Sequence, residues 1–154
     1  MEITRQSMDA QHYIYVDREC PYGPEIADAM GSAIGEVFAF AAQSGITPLD
    51  MPMSVYLQMD KDMLRFRGGV IVSAQDAAKA SGPIKSDVLP AGDVMSATHV
   101  GPYDDLAKSH QDVWSYMETH GLPAAMPVWE IYTDDPGEVA QDKIRTKIFR
   151  ALAT

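Results

Sequence analysis

A chain of 154 residues, 46% apolar and 22% charged, has the size and composition of one globular domain and excludes a disordered tail or a fibre. Its formal net charge of -10, with an isoelectric point near 4.6 and no local run of Lys and Arg, repels phosphate backbones, so direct nucleic-acid binding is not expected. The single cysteine, Cys20, leaves no internal disulfide, and no apolar stretch approaches the roughly 20 residues that span a bilayer; with no signal-like N-terminus, a soluble cytoplasmic protein without membrane attachment is expected.

Along the chain, His12 to Val16 alternates and is rich in β-formers, the pattern of a strand. The run Cys20-Pro21-Tyr22-Gly23-Pro24 marks a turn. From Pro24 to Ser44 the spacing becomes helical, with Ile26, Met30, Ala33, Val37 and Phe40 on one stripe, Pro24 in the first turn and Gly45 as the C-terminal cap. A strand is predicted over Met53 to Met59 and another over Leu64 to Ser73, with Gly68-Gly69 marking a bulge or bend in the second. Gln75 to Gly92, rich in Ala, Ser, Gly, Pro and Lys, is predicted to be a connector.

The same order then returns. Val94 to Val100 is a predicted strand, Gly101-Pro102-Tyr103 a turn, and Asp104 or Asp105 the cap of a helix with Leu106, His110, Val113, Trp114 and Met117 on its stripe, ended by Gly121. Strands over Val128 to Thr133 and Ile144 to Leu152 follow. Anchor residues repeat too: Pro21-Tyr22 returns as Pro102-Tyr103, and Met51-Pro52 as Met126-Pro127. The predicted fold is α+β, two duplicated βαββ modules of antiparallel sheet related by a pseudo-two-fold axis, with a ligand cleft at the centre. The predicted organisation is a single domain over 1–154, with halves at about 8–74 and 93–154 and the connector at about 75–92.

Strand alternation suggests which side chains line that cleft. Trp129 and Ile131, large and apolar, are expected to meet the helix, leaving Val128, Glu130 and Tyr132 on the cleft face. By the same logic Val55, Leu57 and Met59 form core, and Ser54, Tyr56 and Gln58 face away. Ile14 and Val16 point inward and Tyr13 and Tyr15 out; Met95 and Ala97 point inward and Ser96 and Thr98 out. A face lined by Tyr13, Tyr15, Tyr56 and Tyr132 around Glu130 would attract aromatic or cationic small molecules, because π faces and a carboxylate both favour them.

The second half, HVGPYDDLAKSHQDVWSYMETHG followed by PVWEIYTDDPGEVAQDKIRTKIFRALA, resembles the GyrI-like small-molecule-binding family. The matching residues are His99, Gly101, Pro102, Tyr103 and Leu106, then Glu130, Tyr132, Asp135 and Pro136, then Thr146 and Ile148. VLPAG at Val88 to Gly92 matches the lead-in. The chain departs from the pattern at its closing strand, where Ala151-Leu152 stands in place of a frequent Pro-Val. The resemblance implies a duplicated βαββ fold whose cleft has the acid at Glu130 on its floor. In the family this domain often follows a DNA-binding module in AraC-type or multidrug-sensing regulators. No such module precedes it here, so direct transcriptional regulation is not expected.

The histidines His12, His99, His110 and His120 lack metal-ligand spacing; no metal and no cofactor are expected, with His110 and His99 read as structural. Cys20 has no neighbouring His to activate it. Three functions fit the sequence. The first is a stand-alone binder of an aromatic or cationic small molecule, for sensing or detoxification. By resemblance, the second is a hydrolase of reactive cyclopropane-containing genotoxins, with Glu130 activating water and Tyr132 or Tyr56 donating to the developing anion. The third is a protein-interaction role like that of a DNA gyrase inhibitor, carried by the acidic surface.

Overall fold

The computed structural model describes residues 1–58 and 60–153. The elements run β1 (Ile3–Met8), β2 (Gln11–Pro21), α1 (Glu25–Ser44), β3 (Met53–Tyr56), β4 (Met63–Ile71), α2 (Ala74–Ala77), β5 (Lys85–Leu89), β6 (Gly92–Val100), α3 (Leu106–Thr119), β7 (Ala124–Tyr132) and β8 (Arg145–Leu152). They divide into two compact units. The first is Asp9–Ala91; the second combines Met1–Met8 with Gly92–Thr154.

In the first unit the antiparallel strand order is β3-β4-β2-β5, and in the second it is β7-β8-β6-β1. The predicted repeat is therefore present as β2-α1-β3-β4 and β6-α3-β7-β8. Each unit also gains an edge strand that its βαββ pattern does not supply. The segment read as a connector contains α2 and β5, which pairs with β2 from Gln11↔Leu89 to Tyr15↔Lys85. At the other end of the sequence, β1 pairs with β6 from Ile3↔Ala97 to Met8↔Gly92. Both added strands are mostly solvated, so neither shows the apolar alternation that would have marked it in the sequence.

Helix α1 forms where its stripe predicted. Pro24 stands at the N-cap with φ -67°, Glu25 and Asp28 place negative charge in the first turn, and Gly45 closes the helix at φ 69°. The Ile46 amide then reaches back 2.9 Å to the Ala41 carbonyl. Ala33, Val37 and Ala41 are buried, and β4 comes so close to the helix that a Cβ on Gly68 would lie 2.7 Å from Ala33 Cβ. A Cβ on Gly69 would lie 2.0 Å from the Ile14 carbonyl oxygen. The β2–β4 register runs unbroken from Tyr13↔Ile71 to Pro21↔Met63. The two glycines thus admit a neighbouring helix and strand; they do not mark the predicted bulge.

In the second unit, Val113 and Met117 of α3 pack with Met95 and Ala97 of β6 and Ile148 and Leu152 of β8. A 3-10 turn at Tyr103–Asp105 leads into α3, and Asp105, one of the two predicted caps, occupies the N-cap position but makes no side-chain capping bond. Gly121 follows the helix at φ 65°, and the Leu122 amide bonds the Met117 carbonyl at 2.9 Å, repeating the closure of α1. Among the described residues no helix is long and apolar enough to cross a membrane.

Candidate functional site

Partners in an antiparallel ladder share a face, so the register fixes every side chain relative to the helix above it. Glu130 stands opposite Ile148, which packs beneath α3, and Val128 stands opposite Arg150. Val128, Glu130 and Tyr132 therefore lie on the α3 face of their sheet. This reverses the expectation that Trp129 and Ile131 meet the helix. Trp129 lies on the other face, stacked on Phe149 with centroids 5.2 Å apart, and is only 1% exposed. Strand β7 is buried on both faces from Pro127 to Ile131, so hydrophobicity alone could not say which face carries the helix.

The first unit requires the same correction at β3. Ser54 pairs with Gly68, the residue that abuts α1, so Ser54 and Tyr56 face the helix instead of facing away. Leu57, expected in the core, is largely exposed, and Met59 lies outside the described residues. Tyr13 and Tyr15 do lie on the face away from α1, as Ile14 and Val16 turn toward it. They are not open aromatic walls, however. Arg67 Nη1 donates to the Tyr13 hydroxyl (2.9 Å) and to Asp87 (2.6 Å), and its guanidinium lies 4.1 Å from the Tyr15 ring centroid. Burial pushes the Tyr13 phenol up to about 12, against the opposing pull of Arg67. For Arg67, burial acts to lower the pKa, but the hydrogen bonds to Asp87 and Tyr13 outweigh it and raise the value. Within the first unit, Tyr13 and Tyr15 thus lie on the opposite face of the sheet from Tyr56.

The Glu130 side chain is 5% exposed, accepts a hydrogen bond from the Tyr132 hydroxyl (2.8 Å, Oε1) and lies 2.6 Å from His110 Nε2 through Oε2. His110 comes from the middle of α3, where it was read as structural; its position directly over β7 makes it the partner of the acid. The Tyr103 ring meets the Tyr132 ring edge to face at 5.6 Å. Burial raises the Tyr103 phenol pKa, and the charges of Asp135, Asp134 and Glu130 add to the rise. The sequence marks Tyr103 as a turn residue and a match to the family pattern but not as a site residue, because nothing local to Gly-Pro-Tyr shows that the turn brings it to Tyr132. His99 is structural: its two ring nitrogens contact Ser109 Oγ (2.6 Å) and the Pro102 carbonyl (2.9 Å), tying that turn to α3. Burial, followed by the charge of Glu25, raises the Cys20 thiol, away from a reactive thiolate. Among the described residues no group of three or more His, Cys, Asp or Glu could hold a metal ion.

A buried carboxylate held by a phenol and an imidazole, with aromatic rings beside it, offers negative charge and π surface at one place. Such a site suits a cation or a hydrogen-bond donor on a flat molecule. The family model of the GyrI-like small molecule binding domain matches residues 1–152. The chain belongs to the GyrI-like family. No curated protein matches the sequence. Among solved structures, the chain is similar to the EcmrR C-terminal domain (TM-score 0.82, 16% identity, covering 99% of this chain and 98% of that one). It is also similar to SAV2435 bound to tetraphenylphosphonium (0.67, 13%, 99% and 94%) and to a hydrolase from Listeria innocua (0.65, 18%, 99% and 92%). At these identities the likeness shows the GyrI-like α+β fold.

Proposed function

We propose that this GyrI-like domain captures a flat aromatic molecule carrying a cationic or N–H donor centre, for sensing or detoxification, and that Glu130 is the group that receives that centre. One observation carries the reading: the acid is almost wholly buried on the α3 face and yet is held in charge-capable hydrogen bonds by Tyr132 and His110. A carboxylate placed so costs stability unless a use offsets it, and an arriving cation gains from the low local dielectric around it. Val128, Tyr132 and Tyr103 would supply the apolar and aromatic contact. That SAV2435 holds tetraphenylphosphonium, an aromatic cation, within the same fold is consistent with this chemistry.

The test is a titration of tetraphenylphosphonium against wild type and Glu130→Gln, with thermal unfolding of each alone and with ligand. Wild type should bind and gain thermal stability by mass action, and Glu130→Gln should lose at least about tenfold in affinity, a difference of roughly 1.4 kcal/mol. Tyr132→Phe keeps the ring and loses one donor, so a smaller loss of a few-fold is expected. Equal binding by wild type and Glu130→Gln, with both folded, would refute the role of the carboxylate.

A second reading draws on the His110 contact. A carboxylate 2.6 Å from an imidazole can fix its tautomer and support it as a general base toward water. On that reading the domain hydrolyses a reactive electrophile, of the cyclopropane-containing class the family resemblance suggests. Product formation that disappears in His110→Ala while binding persists would favour turnover over simple capture.

A further inference from the structure

The α3 face that presents Glu130 also presents a group of opposite charge. Arg150 pairs with Val128, and Glu130 with Ile148, so the two ionisable residues are diagonal neighbours on one face, with backbones about 7–8 Å apart. A single helix covers both. His110 meets Glu130, and Trp114, one turn further along α3, has its ring centroid 5.3 Å from the Arg150 guanidinium. The indole is anchored by its own hydrogen bond from Nε1 to Glu118 (2.6 Å).

Arg150 differs from every other arginine in the chain. Arg5, Arg18, Arg65, Arg67 and Arg145 each hold a carboxylate. Arg150, although half-buried in a chain with 22 acidic residues, takes part in no ion pair and no side-chain hydrogen bond among the described residues, and its Nε is buried without a partner. Burial lowers its pKa. A guanidinium needed only to cover a tryptophan would be expected to keep its head in water, and one serving stability would be expected to pair with an acid.

We infer that the site takes a bipolar ligand, a flat zwitterion whose cationic end meets Glu130 and whose carboxylate or equivalent anion is held by Arg150. The inference rests on the reading of Glu130 as the ligand's acid. A plain cation arriving there would feel the neighbouring guanidinium as repulsion, whereas a molecule with both charges satisfies both groups at once. The planar fork of Arg150 suits a carboxylate in two-point contact.

A matched dye pair tests this: a rhodamine free acid, zwitterionic at neutral pH, and its methyl ester, which keeps the ring system and the positive charge but loses the anion. Wild type should bind the free acid at least about tenfold more tightly than the ester. Arg150→Met should abolish that preference while holding the ester as well as or better than wild type. Arg150→Lys, which keeps charge and loses the fork, should retain only part of it; thermal unfolding shows whether each variant is folded. If wild type does not prefer the free acid, or if folded Arg150→Met and Arg150→Lys both keep the full preference, the bipolar ligand is wrong while a Glu130-dependent affinity for the ester leaves the underlying reading intact. If neither dye binds, or if Glu130→Gln changes neither affinity, both fall together.

Discussion

At the scale of single residues, the firmest constraints come from places where a few atoms leave no alternative. Gly68 lets Ala33 of α1 approach, and Gly68→Ala must push helix from strand, a cost of about 1–3 kcal/mol typical of overpacking. Gly69→Ala meets a backbone carbonyl instead of a side chain and should cost more. Urea midpoints of the two variants would show that order. Tyr13 gives a prediction at high pH. Its phenol is pushed to about 12 by burial, so below pH 10 both folded and unfolded chains carry the proton and stability is unaffected. Between about pH 10 and 12 the unfolded chain loses that proton while the folded one keeps it, and stability falls as pH rises, by at most about 1.4 kcal/mol per pH unit. Tyr13→Phe should flatten this alkaline slope, measured as the unfolding free energy against pH.

Among elements, helices were easier to read than sheet faces. The stripes of α1 and α3 follow a 3.6-residue period that only one face can satisfy, and Gly45 and Gly121 end them in the left-handed region that a side chain resists. Replacing either glycine by alanine should cost about 1 kcal/mol, seen as a lowered thermal midpoint. Strands β3 and β7 gave no such guidance. Each is buried on both sides, so the rule that large apolar residues face the helix placed Tyr56 and Glu130 on the wrong side. Alternation correctly showed that Glu130 and Tyr132 share a face and that Trp129 does not; it could not tell which face lay beneath α3.

For the whole molecule, the repeat was legible because capping glycines, Pro-Tyr turns and helix stripes return in the same order. Its completion was not, since β1 and β5 join the sheets through backbone hydrogen bonds that leave little trace in side-chain chemistry. A chain beginning at Asp9 should therefore lose hydrogen-exchange protection at the β6 amides that bond to β1, and should unfold at a lower temperature. Amides between β2 and β4 provide the control within the same molecule. Unchanged β6 protection would mean that β1 adds nothing to its unit.

The sequence by itself determined the elements of the βαββ repeat, the duplication and the family, because local periodicity, turn chemistry and motif spacing are properties of neighbouring residues. Tertiary structure alone decided that His110 meets Glu130, that Tyr103 reaches Tyr132, and that Arg150 is a diagonal neighbour of Glu130 with no carboxylate of its own among the described residues. Those relations depend on strand register and on the placement of α3 over the sheet, and both are set by packing between residues far apart in the chain.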